Sequence, residues 1–228
     1  AKAYRTPFIS GKDSLNNQFT TEDGRTIEIP PTLLITGVGI VHDIARCVTM
    51  DVKEAGNVLL LVGPPAAAMG GSHYQQVYGL GAAGRDLDAS VPRTDLALGP
   101  ATARAVAAVL ARGLARSAHD VSDGGVVTAV AEMLIAGSTE SNTLGAEIDL
   151  AAVDGSIDPL AAAFAEGPSR YILEVRRADL AAVESLLKDV PHATIGRVNE
   201  TSALTIASEV APIPVSDLRE AWLRPLDW

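Results

Sequence analysis

The hydrophobic positions of this chain fall into short blocks, and their spacing lays out the elements. Val58-Leu59-Leu60-Leu61-Val62 is an unbroken apolar run, stopped by Gly63-Pro64-Pro65. With no polar residue to face water, it predicts a strand buried on both sides. A helix is predicted with Pro100 at its first position, because Val106, Val109, Leu110 and Leu114 then recur at helical spacing. Residues 115–118 read as a short strand. Val126, Val127, Val130 and Leu134 form a second stripe over 126–136, ended by Gly137. Strands are expected at 146–150 and 171–175, and helices at 160–164 and 180–187. Residues 193–198 and 203–207 predict two strands joined by Asn199-Glu200-Thr201 as a hairpin, and Ser216 caps a last helix that ends at Trp222.

The pattern before residue 57 is different. Asp23-Gly24 is a hairpin-type turn. After Pro30-Pro31, residues 32–41 are apolar and rich in β-branched side chains, so they predict a strand, with Gly37 and Gly39 marking close packing or a bulge. A second short apolar stretch covers 44–54, and the turn Ala55-Gly56-Asn57 predicts a domain boundary there, giving domains 1–54 and 55–228. The first domain has one good strand and little helical periodicity. It is expected to be the less stable part, with the edge at 33–41 pairing with another copy or disordered. Taken together the elements predict an α+β chain, with a mixed or antiparallel sheet and helices on one face.

Composition narrows the partners. The 228 residues are 47% hydrophobic, enough for a real core, and the formal net charge of −10 disfavours non-specific contact with nucleic acid or an anionic membrane. A nucleotide remains compatible with that charge, since it needs only local donors and a metal. The chain has no 18-residue apolar run and no charged-then-apolar leader, so a soluble, cytoplasmic protein is expected. It starts almost directly on a polar, loop-like motif, as a piece cut from a longer chain would. The single cysteine, Cys47, excludes an internal disulfide and reads as a buried structural thiol in its apolar stretch. His42, His73, His119 and His192 show no zinc spacing.

Three polar motifs carry candidate chemistry. In His119-Asp120-Val121-Ser122-Asp123-Gly124-Gly125 a strand runs into a helix. Ser122 or Asp123 can accept hydrogen bonds from the first N–H groups of that helix. Gly124 and Gly125 let a ligand approach the backbone, and the helix N-terminus suits a phosphate. Asp120 could hold the Mg2+ that accompanies it. Ser10-Gly11-Lys12-Asp13-Ser14 offers a backbone N–H, a cation and a hydroxyl to phosphate, without P-loop spacing. Gly70-Gly71-Ser72-His73-Tyr74 places a glycine pair ahead of a helix-like segment. Read singly, each motif is equally an ordinary turn or capped helix. His73 and His119 are the only local groups suited to proton transfer, and no residue is assigned as catalytic.

In this order, with 31–39 and Val48-Thr49-Met50-Asp51 beside them, the motifs resemble the phosphoribosylformylglycinamidine synthase family, within the aminoimidazole ribonucleotide synthetase-like superfamily. The resemblance spans nearly the whole chain. It implies a two-domain module, one domain supplying strands to a barrel and the other a ferredoxin-like α/β domain. The family carries this module twice, and the chain looks like the end of the second copy. It implies an ATP-dependent ligase of purine biosynthesis that amidates formylglycinamide ribonucleotide with ammonia. The ammonia comes from glutamine through a glutaminase subunit or domain. By the same resemblance Gly11 contacts ATP, Ser14 contacts the ribonucleotide substrate, Asp120 ligates Mg2+ and Ser122 contacts nucleotide. Lys12 stands where some relatives have an asparagine that ligates Mg2+, a contact an ammonium cannot make. One nucleotide site of the doubled architecture is catalytic and the other auxiliary. A structural module holding an auxiliary Mg-nucleotide, or a small-molecule kinase of the superfamily, are the alternatives.

Overall fold

The computed structural model describes residues 1–12, 17–30, 32–81, 84, 86–139, 143–207 and 211–226. The chain divides into two compact units, Ala1–Ala45 and Arg46–Trp228. In the first, β1 (Gln18–Thr20) and β2 (Thr26–Glu28) pair antiparallel with Gln18 opposite Glu28. The intervening turn closes through Thr21 N–H donating to the Arg25 carbonyl at 2.9 Å, with Gly24 at φ 81°, as the Asp23-Gly24 pair predicts. The strand expected at 32–41 is absent. None of its described residues is in a strand, and Leu34 is 91% exposed. A strand needs a neighbouring edge for its hydrogen bonds, and the short β1–β2 hairpin pairs only with itself. Cys47 is likewise exposed rather than a buried core thiol.

The second unit is built on β3 (Val58–Val62), α1 (His73–Tyr78), α2 (Leu98–Ala111), β4 (Ala115–Asp120), α3 (Gly125–Gly137), β5 (Gly145–Ile148) and α4 (Pro159–Phe164). It continues through β6 (Tyr171–Val175), α5 (Leu180–Leu187), β7 (His192–Asn199), β8 (Ala203–Ile206), β9 (Ile213–Pro214) and α6 (Val215–Leu223). The sheet order is β4-β6-β3-β7-β5-β8-β9, antiparallel except for the parallel β5–β8 pair. The sheet is therefore mixed, as expected.

All five residues of β3 are buried, and they face two different cores. Leu59 and Leu61 pack with Val126, Val130, Met133 and Leu134 of α3. Val58, Leu60 and Val62 pack with Val106 and Val109 of α2 and Val183 and Leu187 of α5. Helices thus cover both faces of the sheet, not one. The apolar run requires this, because a strand with no polar residue leaves neither face suitable for water.

Other expectations are corrected by tertiary pairing. β7 and β8 do not form a hairpin, since β5 lies between them. Gly196 makes room for it: a Cβ there would collide with the Glu147 carbonyl and come within 2.9 Å of Ile148 Cα. α2 begins at Leu98, ahead of Pro100, because Asp95 accepts from the Ala97 and Leu98 amides at 2.7 and 2.8 Å and starts the turn. Ser216 lies inside α6, which follows Pro214 without a side-chain cap. Residues 46–54 pack with the second unit. Val52 is buried there and donates its N–H to Met133 O at 3.1 Å, and a Cβ on Gly137 would lie 2.6 Å from Val52 Cγ2. Among the described residues no helix is long and apolar enough to cross a membrane.

One carboxylate sits wholly inside this apolar frame. Glu174 of β6 is fully buried, and its carboxylate accepts from the Lys53 and Glu54 amides, Asn57 Nδ2 at 2.7 Å and Ser117 Oγ at 2.8 Å. It fastens segment 53–57 and β4 to β6. Glu174→Leu leaves those donors unpaired, and each buried orphan costs about 1–3 kcal/mol. We expect denaturant titration to show a stability loss of at least about 3 kcal/mol; a loss under about 1 kcal/mol would mean that water or rearrangement satisfies the donors.

Candidate functional site

The site forms where β4 runs out and β6 begins. These strands pair antiparallel, with Asp120 opposite Tyr171, so the segment after Asp120 and the segment before Tyr171 meet at one end of the sheet. Between them is an open pocket of about 380 Å3, lined by Asp120, Ser122, Asp123, Glu166, Ser169 and Arg170 among others. His119 and Asp120 end the strand itself, which is two residues longer than the 115–118 expected.

Asp120 is 63% exposed at the pocket. Its carboxylate lies 3.2 Å from His119 Nδ1, and His119 Nε2 lies 2.9 Å from Glu132 of α3. The imidazole is thus held between two carboxylates and steadies the Asp120 side chain. Ser122 and Asp123 are exposed, and neither caps α3. The cap expected from them is supplied from 42 residues away in sequence: the Gly124 N–H donates to Glu166 Oε1 at 2.7 Å. The same oxygen accepts the His73 N–H at 2.9 Å and lies 3.1 Å from His73 Nδ1. One carboxylate therefore satisfies orphan donors at the starts of both α1 and α3, where the helix dipoles favour negative charge.

The two glycines differ from expectation as well. Gly125 is buried at φ 74°, and a Cβ there would lie 2.7 Å from the Ala163 carbonyl. It admits α4 rather than a ligand. Gly124, at φ 77°, faces the Thr128 side chain, so valine there would strain the loop whether or not a ligand binds. Behind the pocket, Arg170 is buried, bonding the Gly167 carbonyl at 3.0 Å and the Ala165 carbonyl. Desolvation lowers its pKa to about 10, which still leaves it charged at neutral pH. Asp120, Asp123 and Glu166 outnumber this one cation, so a bare phosphate is repelled and a phosphate that brings a divalent cation is not.

Of the other expected site residues, Gly11 and Lys12 belong to the first unit, where both are exposed. Ser14 lies outside the described residues. Glu166 and Arg170 lie outside the motifs that the sequence marks. Glu166 is the only carboxylate between Asp158 and Glu174 and directly precedes Gly167-Pro168, but nothing in its neighbourhood points to a partner near residue 124.

Residues 54–208 match the family described as AIR synthase related protein, C-terminal domain. Over 222 residues, 95% of the chain, it is 33% identical to the phosphoribosylformylglycinamidine synthase subunit PurL of Alkaliphilus metalliredigens and spans 28% of that protein. Thermotoga maritima PurL complexed with FGAR shares the fold over 77% of this chain and 30% of its own, with a TM-score of 0.64 at 19% identity. T. maritima PurL complexed with ATP matches the same share of this chain, and 28% of its own, with a TM-score of 0.59 at 18% identity.

The Glu166 cap has a titration consequence. Burial raises its carboxyl pKa, but the Gly124 and His73 amides and the His73 ring outweigh burial, and the net shift is downward. A depressed folded pKa contributes stability above the usual glutamate range, lost as pH falls through the folded value. Glu166→Gln is expected to melt about 2–4 °C below wild type at pH 7, for about 1 kcal/mol of lost hydrogen bonding. Melting curves from pH 7 to pH 3 should show that gap closing; a gap that is constant with pH would exclude the ionised carboxylate as the cap.

Proposed function

This chain belongs to the AIR synthase related protein family, and we propose that within a longer protein it forms the end of the second module of a phosphoribosylformylglycinamidine synthase. In this proposal residues 1–54 come from the barrel-forming domain, and residues 55–228 are the α/β domain that follows. The whole protein would be an ATP-dependent, cytoplasmic ligase of purine biosynthesis. Its other parts would be the first module and a glutaminase subunit or domain that delivers ammonia. The relative of known name over 95% of the chain supports this reading.

The pocket at Asp120 is then a Mg-nucleotide site. The observation that carries it is the exposed Asp120 carboxylate, oriented by His119, at a strand end beside Ser122. A hard oxygen donor of this kind suits Mg2+, which binds through one or two carboxylates plus phosphate oxygens. When bound, Mg2+ would offset phosphate charge among the three carboxylates. Asp120 would hold the metal and Ser122 would contact the nucleotide. Gly11 and Ser14 would meet ATP and the ribonucleotide substrate. The auxiliary role is favoured over the catalytic one by a specific feature. Glu166 takes the Gly124 N–H, so one helix-terminal donor is engaged within the fold and does not await a transferring phosphoryl group.

Two outcomes test this reading. Asp120→Asn keeps the size and removes the charge, so calorimetric titration of the full-length protein with Mg-ATP should show about tenfold or weaker binding, a loss of about 1.4 kcal/mol or more; equal affinities for the two proteins would remove Asp120 from the site. The 228-residue chain alone, given ATP, formylglycinamide ribonucleotide and ammonium, is expected to form no amidine. Measurable product would contradict the need for the first module.

A further inference from the structure

We propose that His73, Asp123 and Glu166 form a binding site for a divalent transition-metal ion of the zinc or cobalt type. The three side chains come from three separate segments: the start of α1, the β4–α3 turn and the segment between α4 and β6. His73 Nδ1 lies 3.1 Å from Glu166 Oε1 and 3.9 Å from Asp123 Oδ1, and one ligand atom from each residue falls within 4.8 Å of the others. Donors around a tetrahedral ion at 2.0–2.1 Å stand roughly 3.4 Å apart. His73 and Glu166 already meet that spacing. Asp123 is 85% exposed and free to close the remaining gap by rotation.

The donor set selects the ion. One imidazole nitrogen with two carboxylates suits zinc, cobalt, nickel or manganese, whereas Mg2+ and Ca2+ prefer all-oxygen shells. The support behind the ligands is also present. The Gly124 and His73 amides fix the Glu166 carboxylate, as outer-shell hydrogen bonds fix ligands in metal centres. A capping carboxylate alone accounts for those two amide bonds. It does not require an imidazole nitrogen facing the same oxygen, nor a second carboxylate 3.9 Å from that nitrogen. The ion would take His73 through a deprotonated Nδ1, with the ring proton on Nε2, and water in the open position. It would join α1, α3 and the α4–β6 segment. The site shares the rim of the nucleotide pocket but uses neither Asp120 nor Ser122, so it stands or falls apart from the nucleotide reading.

The probe is Co2+ added to chelator-treated full-length protein, followed by its visible ligand-field absorption. Wild type should develop bands that saturate at one ion per chain and are lost to Zn2+ but not to millimolar Mg2+. His73→Gln and Asp123→Asn should each weaken the site by about tenfold or more, and Asp123→Asn should leave the melting temperature of the metal-free protein unchanged because that side chain is exposed. Asp120→Asn, which tests the nucleotide pocket, should leave the cobalt bands intact. Absence of saturable bands, equal binding by wild type and His73→Gln, or displacement by Mg2+ would each overturn the assignment.

Discussion

A carboxylate buried without a cation fixes the geometry on which the second unit depends. Glu174 sits among apolar neighbours, and its partners among the described residues are neutral donors: two amides, an asparagine side chain and a serine hydroxyl. Each of those donors comes from an element that must arrive correctly. The amides and Asn57 belong to the segment entering β3, and Ser117 belongs to β4. A carboxylate left short of partners in this setting would be strongly unfavourable, so alternative registers of β4 against β6 are disfavoured along with alternative paths into β3. Because β4 ends at Asp120, the same constraint sets where the pocket opens.

Glu166 does for the site what Glu174 does for the core, in a wetter place. It closes the first turns of two helices with one oxygen and so keeps the β4–α3 turn against the α4–β6 segment. Arg170 lies behind that segment and is bonded to the carbonyls of Ala165 and Gly167, which holds the backbone there in a tight path. The pocket is acidic at its rim and carries one buried cation at its back. That asymmetry makes cations, or anions that bring cations, its natural occupants. The same rim gathers an imidazole and a second exposed carboxylate, and the electrostatic argument extends to them.

The two units contrast in what their sequences can do alone. The second has an apolar run for its central strand and amphipathic helices for both faces. The first has a hairpin of two three-residue strands and then exposed apolar residues between Leu33 and Val41. Exposed apolar segments of that length ordinarily belong against other protein surface, consistent with a chain that spans under a third of its named relative.

The sequence by itself determined the local elements of the second unit. β3, β6 and α5 fall on the residues that their patterns predict, α3 differs by one residue at each end and α4 by one at its start, because continuous apolar runs and helical stripes are local signals. It also placed Ser122 on the strand-to-helix turn that carries the motif, with Asp120 at the strand end beside it. Only the tertiary structure decided the rest. The placement of β5 between β7 and β8, the covering of both sheet faces and the loss of the strand at 32–41 all depend on which edges and surfaces are available, and periodicity does not record that. The cap on α3 belongs to the same class. Ser122 and Asp123 are the nearest oxygens along the chain, but at Gly124 the carboxylate within reach is Glu166, brought there by the β4–β6 pairing. Hydrogen bonds are decided by distance in space, and that distance exists only once the sheet has formed.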